Sequence, residues 1–538
     1  MGVKLGKGEF PQGHGPDDFE CFGPAAVADD QFDGTRICDM GCFKQDGVDS
    51  NKFYHGAIVQ STKNKSWFAY FQWGRTGATN PDCQFVQCSS EADAAAEYKS
   101  QLRSKNAGRG EWVTVAGMKT LRAKAGKDCY LVRPQATRAT GLPSAKTIQC
   151  DDGVKKAPVT VAASTTKGKK SSPTIQIDSQ TMSLMRDLNV ATISYTKGAM
   201  ANDSLPTQGC IDDARTVLGH ALGRVGKVGH NVDAQVNDKE LKELTGLIYS
   251  KIPKKKSIGA AASTWILSAD NIRAWQLDLD AFESALMTSL SSPVTVQKNP
   301  LEGLGVEMKW LDTSSNEGEW VAHFATTGTR NVHGGLGKIR IHNLWSVCKP
   351  IEHARFIAEQ DKVAARRPSS NERPMFAPRE RPDMNADRKK AHETSRSALL
   401  FHGTRSVNVS GILGKSLLLP RQLSVSVAIS GALFGPGLYF ADDIKKSAGY
   451  CSLSQSVWSG GSGGVGGRHA FMFLVDVVLG RPYVVPQFRA FTSPPAGFDS
   501  VFGKANYADM GGSTLRNNEW IVYETPKHSL RYLIEFSA

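Results

Sequence analysis

The run Phe434-Gly-Pro-Gly-Leu-Tyr-Phe-Ala-Asp-Asp-Ile-Lys-Lys-Ser-Ala-Gly-Tyr-Cys451 is the most informative stretch of this 538-residue chain. Gly435 and Gly437 flank Pro436, a backbone that can turn sharply and come close to a ligand. A short apolar strand, Leu438-Tyr-Phe440, follows, and Asp442 and Asp443 then stand where a helix N-terminus favours acids. That helix carries Lys446, Ser447 and Tyr450 towards one region, so turn, strand and helix deliver two tyrosines, a serine and a lysine to one cleft. Read alone, the run is equally an ordinary strand-turn-helix with two tyrosines half in a core, because short motifs recur by chance.

Two flanking pieces decide between these readings. Upstream, Ala398-Leu-Leu-Phe-His-Gly-Thr-Arg405 is an apolar run, expected to be buried, that ends in His402-Gly403. Downstream lies Asn518-Glu-Trp-Ile-Val-Tyr523. A single His at a strand end is usually a satisfied core histidine, and a single Glu before an apolar strand is usually an edge residue. In this order, the three pieces resemble the His-Tyr-Glu signature of the poly(ADP-ribose) polymerase transferase fold, which would cover residues 299–538.

That resemblance implies a set of roles around NAD+. His402 would hydrogen-bond the adenosine ribose. The backbone of Gly403 would grip the nicotinamide carboxamide, with Ser447 adding a second bond. Tyr450 would stack on the nicotinamide ring and Tyr439 would line its other side. Glu519 would carry the reaction by bonding the nicotinamide-ribose 2′-hydroxyl and orienting the acceptor hydroxyl, with Lys446 as a further positioning residue. The residue types suit the chemistry. Cleaving nicotinamide from NAD+ gives an oxocarbenium-like ribosyl centre, as in glycoside cleavage, and its catalysis is mainly positioning and charge stabilisation. Family members that replace the Glu tend to transfer a single ADP-ribose, so Glu519 implies chain growth. The loop Leu417-Leu-Leu-Pro-Arg-Gln-Leu-Ser424 departs from the family, which usually carries an Arg near Leu418. Arg421 stands three residues on. The run Ser459–Gly467 reads as a slack glycine-rich connection rather than a phosphate cradle, since no Lys-Ser/Thr follows.

Earlier in the chain, Phe53–Gln60 and Trp67-Phe-Ala-Tyr-Phe-Gln-Trp73 read as strands joined by the polar turn 61–65, and a helix capped by Ser90 follows at about 90–105. The second strand runs into Trp73-Gly-Arg75 and Thr76-Gly77. This resembles the WGR domain of DNA-dependent poly(ADP-ribose) polymerases over residues 25–133. It implies that Trp73 and Arg75 meet the sugar-phosphate backbone near a DNA break, for which an indole face and a guanidinium are suited. Without the resemblance, Trp73 would be core and Arg75 a solvated charge.

Residues 1–24 read as a flexible Gly/Pro-rich N-terminus, and 134–173 as a basic linker that cannot bury a core and includes Lys167-Gly-Lys-Lys170. From 174 to 298 the apolar period is helical. Asp178 caps a helix bearing Met182, Met185 and Leu188. Further stripes are Ile211/Ala214/Leu218/Ala221/Val225, Leu241/Leu244/Ile248 and Ile272/Trp275/Leu279/Phe282/Leu286. With Leu247-Ile-Tyr-Ser-Lys-Ile-Pro253, this bundle resembles the same family's helical regulatory domain, which implies autoinhibition relieved on DNA docking. Residues 365–390, rich in Arg, Pro and Asn, read as a surface insertion.

Composition agrees with several globular domains, about three to four at this length. Sixty-five basic against 52 acidic residues give a net charge of +13, which points to an anionic partner, nucleic acid before membrane. Ten cysteines, with Cys38/Cys42 and Cys83/Cys88 the only close pairs, fit a reducing compartment and neither a disulfide scaffold nor a zinc finger. No apolar run reaches the ~18 residues of a membrane span.

The expected fold is multidomain α+β: a small WGR module of sheet and helix, an all-α regulatory helical bundle and a mixed α+β ADP-ribosyltransferase catalytic domain. The closest type is the compact WGR-headed one, without zinc fingers or BRCT segments. The expected function is a nuclear, DNA-break-activated poly(ADP-ribose) polymerase. It would use NAD+ as substrate and no metal, and modify protein acceptors, including itself and histones. The alternatives are a mono-ADP-ribosyltransferase or NAD glycohydrolase, and a catalytically silent DNA-end scaffold.

Overall fold

The computed structural model describes residues 3–6, 9–14, 19–21, 37–44, 50–75, 82–105, 111–115, 118–122, 128–132, 177–200, 206, 208–229, 231–252, 254, 261–291, 300–327, 337–366, 381–419, 433–453, 469–505 and 515–538. They form two compact units, one drawn from Met1–Thr174 with Thr196–Phe282, the other from Ile175–Tyr195 with Glu283–Ala538.

Strands open the chain: β1 (Val3–Lys4), β2 (Phe19–Cys21), β3 (Ile37–Lys44), β4 (Ser50–Ser61), β5 (Trp67–Arg75) and β6 (Asp82–Cys88). Helix α1 (Glu91–Lys105) follows, then β7 (Glu111–Val115), β8 (Met118–Arg122) and β9 (Asp128–Val132). They make one sheet in the order β1-β6-β5-β4-β3-β9-β8-β7, with β2 paired to β4. The alternation in β5 buries both faces. Phe68 and Tyr70 pack with Ala57, Val59 and Phe85, while Phe71 stacks against Tyr98 of α1. Ser90 caps α1 by accepting from the Asp93 N–H at 3.1 Å. Cys83 and Cys88 are buried, and no cluster of three or more His, Cys, Asp or Glu side chains is placed to hold a metal among the described residues.

The helical segment contains α2 (Ser179–Ala199), α3 (Gln208–Val228), α4 (Val232–Asn237), α5 (Lys239–Lys251) and α6 (Ala269–Ser291). Ile211, Ala214, Leu218, Ala221 and Val225 of α3 pack with Leu241, Leu244 and Ile248 of α5 and with Ile272, Trp275, Leu279 and Phe282 of α6. These are the stripes expected from the helical period. Helix α2 differs. Asp178 does cap it, accepting from Thr181 N–H at 2.6 Å and also from Trp310 N–H at 3.1 Å. Met185 and Leu188 are buried, with Leu184, in the core of the second unit, but Met182 is 46% exposed. The buried stripe runs through Thr181, Leu184, Met185 and Leu188, which leaves Met182 off that face.

The second unit continues with α7 (Pro300–Leu304), β10 (Glu307–Leu311), α8 (Asn316–Thr326), β11 (Arg340–Cys348), α9 (Pro350–Ala365), α10 (Ala386–Thr394), β12 (Ser397–Gly403) and α11 (Val409–Lys415). It ends with β13 (Leu438–Phe440), α12 (Ile444–Ala448), β14 (Ala470–Val478), β15 (Pro482–Val485), β16 (Ser500–Gly503), β17 (Glu519–Val522) and β18 (His528–Ser537). Two sheets result, β10-β11-β18-β14-β12 and β13-β17-β16-β15. They share an apolar core in which Phe471, Phe473, Val475 and Leu533 meet Leu438, Phe440, Phe502, Trp520 and Val522. Trp520 stacks on Phe502 at 3.7 Å, and full burial of such an aromatic contributes about 1.5–3 kcal/mol. The opposite face of the first sheet is covered by Val321 and Ala325 of α8 and Ile444 and Ala448 of α12, so every residue of β14 is buried.

Of the described part of the stretch 365–390, positions 382, 385–387 and 390 are exposed, but Arg381 is not. Arg381 is 4% exposed and donates to both Asp383 and Asp476, and Arg531 reaches the same two carboxylates. Asp476, which interrupts the apolar run of β14, is thereby paired rather than exposed. Buried charges persist only when paired in this way.

Among the described residues, no helix is long and apolar enough to cross a membrane.

Candidate active site

Gly435 starts the site. Its φ of +90° is one that residues with a Cβ rarely adopt, and a Cβ there would lie 1.9 Å from Phe491 O. The turn is closed by Tyr439, whose hydroxyl donates to Gly435 O at 2.7 Å and accepts the Phe434 N–H at 2.9 Å. Both hydrogen-bonding capacities of that hydroxyl serve the turn, so Tyr439 offers the site its ring.

Strand β13 then pairs antiparallel with β17, Tyr439 opposite Ile521. Side chains alternate along β17, so Trp520 and Val522 enter the shared core while Glu519 and Ile521 take the opposite face, the face of Tyr439. Just past β13, Ala441 and Phe401 exchange backbone hydrogen bonds of 2.8 and 3.0 Å, joining the end of β13 to β12. This bridge brings His402 and Gly403 of β12 beside the 434–451 segment.

His402 Nδ1 lies 3.0 Å from Tyr439 O. A carbonyl only accepts, so Nδ1 carries the hydrogen and Nε2 is a bare acceptor. Burial lowers the pKa of this imidazole below its usual value, which keeps it neutral. Gly403 makes the closest approach in the cleft, since a Cβ there would lie 1.9 Å from Ser447 O. Asp443 caps α12 by accepting the Lys445 N–H. Within that helix the Ser447 hydroxyl donates to Phe401 O at 3.2 Å, leaving its oxygen free to accept.

Lys446 points the other way, to Glu519 Oε1 at 3.1 Å and Tyr450 OH at 3.2 Å. Burial raises the Glu519 pKa, and Lys446 only partly offsets it. For Lys446, burial disfavours the charge, but Glu519 and Tyr450 more than compensate and its pKa is raised. The second Glu519 oxygen has no partner among the described residues.

His402, Gly403, Tyr439, Lys446, Ser447, Tyr450 and Glu519 are therefore brought together by β12, β13, α12 and β17. The matching residues carry the comparison further. A model of the poly(ADP-ribose) polymerase catalytic domain matches residues 319–538, and one of the WGR domain matches 41–116. The chain carries a WGR domain and a poly(ADP-ribose) polymerase catalytic domain.

Poly [ADP-ribose] polymerase 2-A of Oryza sativa subsp. japonica is 25% identical over 524 residues, 91% of this chain and 68% of that protein. Poly [ADP-ribose] polymerase 1 of Danio rerio is 32% identical over 149 residues, 26% of this chain but only 14% of its own length. The mouse protein mono-ADP-ribosyltransferase PARP4 is 32% identical over 144 residues, 7% of its length. The WGR match contains Trp73, half-buried in β5 opposite Tyr54 and Asp82. Arg75 ends β5, and its side chain lies outside the described residues, as do the linker 134–173, the Ser459–Gly467 run and positions 420–424 of the divergent loop.

Two features of the catalytic domain escape motif reading. Asn518 donates to Asp442 Oδ2 at 2.7 Å and accepts the Ala505 N–H at 3.0 Å, which fixes the backbone immediately before Glu519. The only sequence signal was its place beside Glu519. Lys349, 4% exposed, donates to the Leu304, Leu413 and Gly414 carbonyls at 2.9–3.0 Å and so closes the C-terminal ends of α7 and α11. A lysine 53 residues before His402 carries no such signal.

Proposed function

We propose that this chain is an NAD+ ADP-ribosyltransferase that builds poly(ADP-ribose) on proteins, itself included. The observation that carries this reading is a pair of acceptors with no partner among the described residues, His402 Nε2 and the second oxygen of Glu519. Each suits a ribose hydroxyl, and two riboses are what NAD+ offers. Gly403 and Ser447 would take the carboxamide, and the rings of Tyr439 and Tyr450 would bracket the nicotinamide.

Chemistry then follows at one carbon. The bond from the ribosyl carbon to the nicotinamide nitrogen breaks, and nicotinamide leaves with the electron pair. The Glu519 carboxylate, bonded to the neighbouring 2′-hydroxyl, favours the positive charge that builds on the ribosyl centre. The acceptor hydroxyl attacks that carbon and passes its proton to Glu519. Lys446, holding the other Glu519 oxygen, orients the carboxylate and limits the rise that burial gives its pKa.

Regulation is the second part of the proposal. The WGR domain, through Trp73 and Arg75, would bind DNA breaks, the net charge of +13 would favour that anionic partner, and the helices of 174–298 would restrain the catalytic domain (299–538) until binding. Residues 25–133 would be the DNA-binding region, 134–173 a linker, and the protein's place the nucleus, with histones among its acceptors. NAD+ consumption measured with and without nicked, 5′-phosphorylated DNA tests both parts. Activity that rises with DNA supports the whole reading. DNA-independent activity removes the regulatory part alone, and no NAD+ consumption removes both.

A further inference from the structure

Resting on the NAD+ reading above, we propose that Ser416 and His528, which lie outside every motif, are positioning residues for His402. The starting observation is a strained backbone. Ser416 follows α11 with φ +62° and ψ −170°, a conformation that glycine adopts freely and serine does not, at a cost on the order of 1 kcal/mol. The residue is 6% exposed, and its N–H is bonded to Ile412 O at 2.7 Å.

Its side chain accounts for why a serine stands there. Ser416 Oγ and His528 Nε2 share a buried hydrogen bond of 3.0 Å. His528, 3% exposed at the head of β18, sets its ring 6.4 Å from that of Phe440. The same Phe440 ring lies 5.8 Å from that of His402, so both imidazoles pack against it. Phe440 is also the neighbour of Tyr439, whose carbonyl holds His402 Nδ1. The imidazole of His402 is thus set by two adjacent residues of β13, one through a hydrogen bond and one through ring contact. The ring that makes the contact is backed by His528 and Ser416.

In a close-packed interior such a file transmits displacement, because no void absorbs it. Two polar side chains placed in an otherwise apolar cluster, at the cost of desolvation and backbone strain, fit a positioning role better than a packing one. Burial and the nearby His402 hold the His528 pKa down to about 4, so no positive charge forms beside His402 at neutral pH.

The test is steady-state NAD+ turnover by the full chain carrying Ser416→Ala, Ser416→Gly or His528→Gln. It is run beside binding of benzamide, which has the carboxamide and ring of nicotinamide but no ribose. Ser416→Ala and Ser416→Gly are expected to raise KM for NAD+ about tenfold, the scale of one hydrogen bond, with kcat within about twofold. Benzamide affinity is expected to stay unchanged. Ser416→Gly also relieves the strain, so it is expected to melt above Ser416→Ala while showing the same KM defect, which a purely structural role would not produce. His528→Gln, which keeps a donor towards Ser416, is expected to show a smaller rise. An unchanged KM in Ser416→Ala and Ser416→Gly, with wild-type turnover intact, overturns this inference alone. Absence of NAD+ turnover in the wild-type protein overturns it together with the proposed function.

Discussion

The Lys446 ammonium lies 3.1 Å from Glu519 Oε1, and both side chains are nearly closed to solvent, at 13% and 12% exposure. Burial pushes the Glu519 carboxyl above its ordinary value of 4.5, and the lysine limits that rise. In the proposed mechanism turnover needs the carboxylate, so the acid limb of the pH–rate profile is expected above the ordinary carboxylate range. Lys446→Met removes the opposing charge. It should move that limb to higher pH and lower the rate at pH 7, while a limb that stays or moves down would contradict the assignment.

Asn518 ties Glu519 to two other elements, through Asp442 and the Ala505 N–H. Replacing it with Ala leaves both of those groups without their partner. Expected in Asn518→Ala is a fall in kcat of roughly tenfold, about the value of one well-made hydrogen bond, with KM for NAD+ little altered. Steady-state kinetics separate this from a binding defect, which would raise KM instead.

The cleft wall at Gly403 has no room for a methyl group, because a Cβ would sit 1.9 Å from Ser447 O. Gly403→Ala must therefore push β12 and α12 apart, an overpacking cost of typically 1–3 kcal/mol. A calorimetric titration with benzamide should show binding lost or weakened by at least tenfold. Retained affinity would mean that the carboxamide does not sit between Gly403 and Ser447.

How much of this was legible beforehand depends on how local the signal was. The turn at Gly435, the cap at Asp443 and the strand 519–522 follow from residue type and short spacing, and they appear where the sequence put them. The helical stripes of α3, α5 and α6 were legible for the same reason, since periodicity records which face is buried. Met182 was misread because the buried face of α2 runs through Thr181, Leu184, Met185 and Leu188, a phase set by its packing partners and not by the apolar residues alone. Arg381, within the stretch read as a surface insertion, is buried because it pairs with Asp476, 95 residues away in sequence. Ser416 and His528 are likewise joined only by the fold.

The Arg381–Asp383–Asp476–Arg531 cluster carries its own pH signature. Burial disfavours both carboxylates, but the arginines outweigh it and hold Asp383 and Asp476 below the ordinary 3.8. Lowered folded-state values mean the cluster stabilises the fold above about pH 3.8 and loses that contribution as pH falls below it. Asp476→Asn leaves Asp383 alone to balance two buried guanidiniums, for an expected loss of about 3–5 kcal/mol at pH 7. Denaturant melts across pH should show the gap between wild type and variant narrowing below that pH. A gap that is small at pH 7, or constant with pH, would count against this balance of charges.

The most direct test of the account is the product pattern from isotope-labelled NAD+, resolved on a denaturing gel, for the wild-type chain and Glu519→Gln with nicked DNA present. The account predicts a ladder of labelled, self-modified protein in the wild type and its loss in the variant. A single sharp band with free ADP-ribose, or a ladder that survives Glu519→Gln, would contradict it.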